Sequence, residues 1–208
     1  EELQTLSKAQ PDNVQIFIRM ANIAFMMENY GAMATACEKA ILLDSENATA
    51  HYLYAEACKG QGDDVNTIAM ATKAISIDNK QGNAYLLRGE TYLRTQQLSE
   101  AEADADWLLE HTEDNEDVLL LKARIERAAN RNNEAIEYFT KAIDANPFSY
   151  TAFKERSEMY SLIGNEVKAK EDAERAEELM PTDGKENAEE NIEKQLNDKY
   201  KQMNPYGF

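Results

Sequence analysis

The chain repeats itself every 34 residues. Small residues fall at Ala21, Ala55, Gly89, Ala123 and Ser157, each 34 after the last. A second series runs through Ala40, Ala74, Leu108, Ala142 and Ala176, and a third through Met33, Thr67, Ala101, Ala135 and Ala169. Large, mostly aromatic side chains stand four residues before each member of the first series, at Phe17, His51, Tyr85, Leu119 and Phe153. Four columns in phase mean that one structural unit is used five times. A unit this short cannot bury both of its faces alone, so the units must stack into one continuous core.

Within each unit the spacing is helical. Phe17, Met20, Ala21 and Ala24 follow i, i+3, i+4, i+7, and Phe153, Arg156, Ser157 and Tyr160 do the same with Arg in place of one apolar member. In the second half of the units, Ala135, Phe139 and Ala142 share a face, as do Ala169, Ala173 and Ala176. Glu28-Asn29, Gly60-Gln61-Gly62 and Gly164-Asn165 break the halves apart. Asp44-Ser45, Asp78-Asn79, Asn146-Pro147 and Met180-Pro181 end the units. The pattern predicts an all-α chain of antiparallel helix pairs, each helix about a dozen residues long. Small residues recur because paired helices approach to about 8 Å only when the contact residues are small.

The segment Asn133-Glu134-Ala135-Ile136-Glu137-Tyr138-Phe139-Thr140-Lys141-Ala142-Ile143-Asp144-Ala145-Asn146-Pro147 and the segment Leu87-Arg88-Gly89-Glu90-Thr91-Tyr92 carry a known signature. On these the chain resembles the tetratricopeptide repeat family, from about Val14 to Asp183. It departs from the family pattern at Leu108, where a small residue is usual, and at Ser45, Asn79 and Glu113, where proline is usual. The resemblance implies a right-handed superhelical array with five tandem repeats over 14–183. Residues 1–13 then read as the second helix of an incomplete leading repeat. Residues 184–203, striped by Ala188, Ile192, Leu196, Tyr200 and Met203, read as a capping helix, and 204–208 as a tail.

Composition removes several functions. With 43% hydrophobic residues the chain can build a core despite a net charge of −17. That charge repels phosphates, which argues against nucleic-acid or anionic-membrane binding. No apolar run is long enough to insert directly into a membrane. The composition fits a soluble chain, of the cytoplasm or the periplasm alike. Cys37 and Cys58 have no metal-ligand spacing and read as buried thiols. His51 falls in the aromatic core column and His111 near a helix end, sixty residues away. No nucleophile elbow, phosphate loop or metal motif is present, so the expectation is a non-enzymatic protein that needs no cofactor and no metal.

The resemblance further implies that the first helix of each unit lines a concave face, where an extended peptide or a partner helix docks. Carried onto this chain, that face holds Arg19, Asn22 and Phe25 in the first unit and Tyr52, Glu56 and Lys59 in the second. Glu90 and Arg94 follow in the third, Arg124 and Arg127 in the fourth, and Lys154 and Glu158 in the fifth. Ile18, Leu120, Asp117 and Glu155 fall there too. Six cations and five acids leave the face at +1, so the remaining surface is strongly acidic. One expectation is a groove that prefers carboxylates, read by Arg124 and Arg127 with Tyr52 and Phe25 as apolar anchors. The other is a mixed solvated face. The family's clamp for chaperone tails is not expected, since only Asn22 matches it.

Arg88 and Arg156 occupy an apolar column, and Asp104 and Asp172 stand sixteen residues after them; this predicts two cross-helix ion pairs. Trp107 is left with two alternatives, an exposed contact or a ring tucked inward. The expected partner is a protein or peptide. A recruiting or regulatory arm of a larger multidomain protein, and a homo-oligomer joined through open repeat ends, stay open as alternatives.

Overall fold

The computed structural model describes residues 9–112 and 115–180. Most of the predicted leading helix, the segments at 184–203 and 204–208, the last residues of the fifth repeat and Glu113 lie outside them. Among the described residues there are ten helices: α1 Val14–Met26, α2 Tyr30–Leu43, α3 Ala48–Gly60, α4 Asp64–Ile77, α5 Gly82–Arg94, α6 Leu98–His111, α7 Glu116–Ala128, α8 Asn132–Ala145, α9 Tyr150–Leu162 and α10 Glu166–Leu179. No helix is long and apolar enough to cross a membrane.

Seven of these ten helices start on a side-chain cap. Asn13, Asn29, Asn47, Asp63, Asn115, Ser149 and Asn165 each accept a hydrogen bond from a backbone N–H of the first turn, satisfying a donor that has no helical partner. The turn inside each unit is one motif used five times. Glu28, Gly62, Gln96, Asn130 and Gly164, spaced by 34, all have positive φ. The next N–H reaches back to the helix, from Asn29 to the Ala24 carbonyl, Asp63 to Cys58, Gln97 to Tyr92, Arg131 to Glu126 and Asn165 to Tyr160. Only two of the five positions use glycine. Gln96, at φ 62, carries a Cβ into a region where it crowds its own backbone. Gln96→Gly is therefore expected to raise stability by about 0.5–1 kcal/mol, read as a shifted denaturant midpoint at constant m.

The small-residue columns form the seam of the array. Ala21, Ala55 and Ala123 are fully buried, as are Met33, Ala40, Ala74, Ala101, Ala135 and Ala142. Consecutive units then share core clusters. Ala50, Leu53 and Ala57 of α3 pack with Ala36, Cys37 and Ala40 of α2; Val118, Leu121 and Ile125 of α7 pack with Ala101, Ala105 and Leu108 of α6; Ala152 and Met159 of α9 pack with Phe139 and Ala142 of α8. His51 fills its aromatic column, and its Nε2–H donates to the Ser45 carbonyl at 3.0 Å. Burial pushes the Cys37 thiol up to about 12, with Cys58 and Glu38 adding to it, so this sulfur stays protonated and unreactive.

Successive first helices pack on one another, α1 on α3, α3 on α5 and α5 on α7. Among the described residues, successive second helices make at most marginal contact. The array therefore curves with its first helices on the tighter, inner side. The all-helical solenoid expected from the repeat is what the chain forms.

Candidate functional site

The inner face is built from helix positions that the core does not use. Arg19, Asn22 and Phe25 are exposed on α1, and Lys59, Arg94, Lys154 and Glu158 are exposed at matching places further along. Tyr52, Glu56, Glu90, Arg124 and Arg127 are half-buried. Ile18 and Leu120 do not join this face; they turn into the cores of the first and fourth units. Their position lies at the edge of the apolar stripe, so an aliphatic side chain there gains more by burial than a polar one.

The charges on this face are already paired, and the pairs run between units. Lys59 of α3 reaches Glu90 of α5 at 2.7 Å. Arg94 of α5 pairs with Asp64 at the start of α4. Arg124 of α7 holds Glu155 of α9 through two guanidinium nitrogens, at 2.9 and 2.6 Å. Arg127 contacts the same Glu155 at 3.2 Å and Glu158 at 3.6 Å. The hydrogen bonds that Arg124 donates to Glu155 hold its guanidinium above its ordinary range, against the effect of burial. Arg124 and Arg127, expected to read a carboxylate, both engage Glu155 of this chain. That acid stands in the column of Leu53, Leu87 and Leu121, which are buried. The Tyr52 hydroxyl donates to Glu56 at 2.8 Å. Burial raises the phenol well above its usual range, and the charge of Glu56 adds to it.

Between α3, α5 and α7 the inner face opens into a recess of about 320 Å³. Leu93, Leu121 and Thr91 form its floor, and Lys59, Glu90, Arg94 and Arg124 its rim. A smaller recess of about 250 Å³, with Arg127, Tyr150, Lys154, Glu155 and Glu158 among its walls, lies further along. The first has a largely apolar floor, and its three rim cations are paired with Glu90, Asp64 and Glu155. Sequence reasoning assigned these side chains to the face unit by unit. It did not bring Leu93 and Leu121 beneath them, because that requires the register between neighbouring units.

Away from the groove the two predicted ion pairs form. Arg88 grips Asp104 at 2.9 and 2.6 Å and Arg156 grips Asp172 at 2.7 and 2.7 Å. Each arginine also bonds a threonine on the preceding second helix, Thr72 or Thr140, at 3.0 Å. Lys122 occupies the same column, where it was not foreseen as a pairing residue. It is buried and reaches Asp106 at 2.7 Å, Glu102 at 3.1 Å and Glu126 at 3.3 Å. Burial pulls its ammonium down, yet the bonds to Asp106 and Glu102 prevail and hold it above the usual lysine value. Every one of these cations ties a first helix to a second helix, so they fix the register of the stack. Trp107 meets neither alternative fully. Its ring is half-buried and lies flat between Tyr85, at 3.8 Å between centroids, and His111, at 4.4 Å, with Leu108 still buried in its own column. His111, the last residue of α6, donates through Nδ1 to the Trp107 carbonyl at 2.8 Å.

The sequence profile of the tetratricopeptide repeat family matches residues 86–150. No curated protein matches the chain. Solved structures do. YrrB, described as a TPR protein with an unusual peptide-binding site, superposes with a TM-score of 0.69 over 88% of this chain and 94% of its own, at 19% identity. A tetratricopeptide repeat protein from Parabacteroides merdae gives 0.75 over 86% of this chain and 72% of its own, at 18% identity. PilW, a type IV pilus biogenesis factor, gives 0.75 over 82% and 79%, also at 18% identity. At these identities the likeness is one of fold.

Proposed function

We propose that this chain, which belongs to the tetratricopeptide repeat family, is a non-catalytic scaffold whose inner groove holds an extended peptide segment of a partner protein. The observation that carries the reading is the recess between α3, α5 and α7. Its leucine floor offers apolar contact, and Lys59, Arg94 and Arg124 surround it, each held by an acid, Glu90, Asp64 and Glu155 in turn, that an entering carboxylate can share or displace. A side chain with an apolar body and a carboxylate end matches that lining. Ion pairs at the rim hold the cations in place before the ligand arrives, which lowers the ordering cost of binding. The Lys59–Glu90 pair is partly exposed and so is cheap to rearrange when a second carboxylate enters. That YrrB is described as having a peptide-binding site supports a peptide as ligand.

Selecting a random-peptide display library on the full chain tests this. The expected winners are enriched in Asp and Glu. Lys59→Gln combined with Arg94→Gln should weaken the recovered peptides about tenfold, the effect of losing a net ~1.4 kcal/mol of charge-assisted contact. Lys39→Gln, on the second helix α2, should leave them unchanged. Recovered peptides with no acidic bias that bind the double variant as well as the parent would remove the groove from the account.

A further inference from the structure

The groove changes character between the fourth and fifth units. One column of the first helices holds Leu53, Leu87 and Leu121, all buried, and then Glu155. The backbones follow the side chains. Close contact joins α1 to α3, α3 to α5 and α5 to α7, whereas α7 and α9 make at most marginal contact. Instead α9 is anchored to α8, where Ala152 and Met159 pack with Phe139 and Ala142. Across the gap to α7, the Glu155 side chain is 13% exposed and is gripped by both Arg124 and Arg127. The second recess, of about 250 Å³, opens in this gap.

This recess is rich in donors that the chain leaves unused. Lys154 is exposed and projects over the Tyr150 ring, 5.7 Å from its centroid. Among the described residues Lys154 has no ion pair, and the hydroxyls of Tyr150 and Thr151 make no hydrogen bond. The acceptors in the walls are committed or movable. Both Glu155 oxygens are bonded to guanidinium nitrogens. Glu158 stands 3.6 Å from Arg127 with its side chain 55% exposed, so it turns to water at little cost. Asp117, at the start of α7, lies outside the walls. Around Glu155 there are thus three cations, Arg124, Arg127 and Lys154, and two acids. An anionic oxygen group satisfies that set, while a cationic group leaves Lys154 unpaired and adds repulsion.

We infer that the recess between α7 and α9 is a second carboxylate site, so that the segment held in the groove carries two acidic side chains. One lies over the leucine floor near Lys59 and Arg94, as in the groove reading on which this inference rests. The other lies between Lys154 and Arg127. The helices set the spacing. The two recesses flank α7, where Arg124 faces the first and Arg127, one turn on, faces the second. Packed helices stand about 8–10 Å apart. A polyproline-II segment rises about 3.1 Å per residue with three residues per turn, so residues i and i+3 face the same way about 9 Å apart. The two acids are therefore three positions apart.

Fluorescence anisotropy of labelled synthetic peptides on the full chain tests this. The peptides share a host of about a dozen alanine, serine and leucine residues. They carry one glutamate, or two glutamates at every separation from adjacent to opposite ends. With two residues between the glutamates, the peptide should bind about tenfold tighter than the one-glutamate peptide. Lys154→Gln changes an exposed side chain and should erase that gain while leaving the one-glutamate affinity unchanged. Lys141→Gln removes the same charge from an exposed position of α8 and should keep the gain. A second glutamate without effect at any spacing, or a gain that survives Lys154→Gln, would overturn this inference and leave the first recess as it stands. If the one-glutamate peptide itself does not bind the parent, the groove reading fails and this inference fails with it.

Discussion

Replacing Arg88 with methionine should destabilise the protein by about 3–5 kcal/mol, the usual cost of leaving a buried charge without its partner. Asp104 is 4% exposed, and Arg88 supplies both hydrogen bonds that satisfy its carboxylate. The pair itself adds little net stability. Burial pushes the Asp104 carboxyl above the ordinary aspartate range, even against the hydrogen bonds and charge of Arg88. The first unit solves the same contact with Met20 and Ala36. Arg88→Met combined with Asp104→Ala copies that solution and should recover most of the loss. The single variant also acquires a pH dependence of known sign. An aspartate whose folded-state pKa is raised binds its proton more tightly in the folded chain, so stability falls as pH rises through the window between the unfolded and folded values. The deficit of Arg88→Met should therefore be largest at neutral pH and shrink as acid protonates Asp104. Chemical denaturation of the parent and both variants across pH measures all three effects.

Gly60→Ala should cost about 1–3 kcal/mol, although alanine is the better helix former. A Cβ at position 60 would stand 2.3–2.5 Å from three carbons of the Tyr30 ring, which lies across the end of α3. Gln61 Nε2 donates to the Tyr30 carbonyl at 3.1 Å, which ties the two segments together at this point. The ring must move bodily, since the contact involves the root of the side chain and not its tip. Equivalent positions in other units hold Met26, Arg94, Ala128 and Leu162, so glycine is required here by Tyr30 and not by the repeat. In a double-mutant cycle, shortening the ring by Tyr30→Leu should abolish most of the penalty.

How much of this was legible depended on whether the information sits inside one unit. The columns through Ala21 and Ala40 report the packing of two helices within a unit, and they gave the helices, their pairing and their stacking. Arg88 with Asp104 and Arg156 with Asp172 were readable for the same reason: each pair spans sixteen residues and recurs with the repeat. Lys122 broke that rule. Tyr138 stands sixteen residues after it, where an aspartate would be needed, so it pairs backwards with Asp106 instead. The groove was the least legible part. Its cations pair across units, Lys59 with Glu90 and Arg124 with Glu155, thirty-one residues apart. A per-unit reading counts those charges but cannot tell that they neutralise each other. Glu155 was placed on the face, but its pairing was not foreseen, because it stands in a column otherwise held by the buried Leu53, Leu87 and Leu121.

The account rests on the inner face being the binding face. Amide chemical-shift mapping with an acidic peptide recovered by display tests that most directly. The predicted result is perturbation concentrated on α3, α5 and α7, strongest around Lys59, Leu93, Arg94 and Leu121. Perturbations concentrated on the second helices α4, α6 and α8, with the inner face silent, would contradict it.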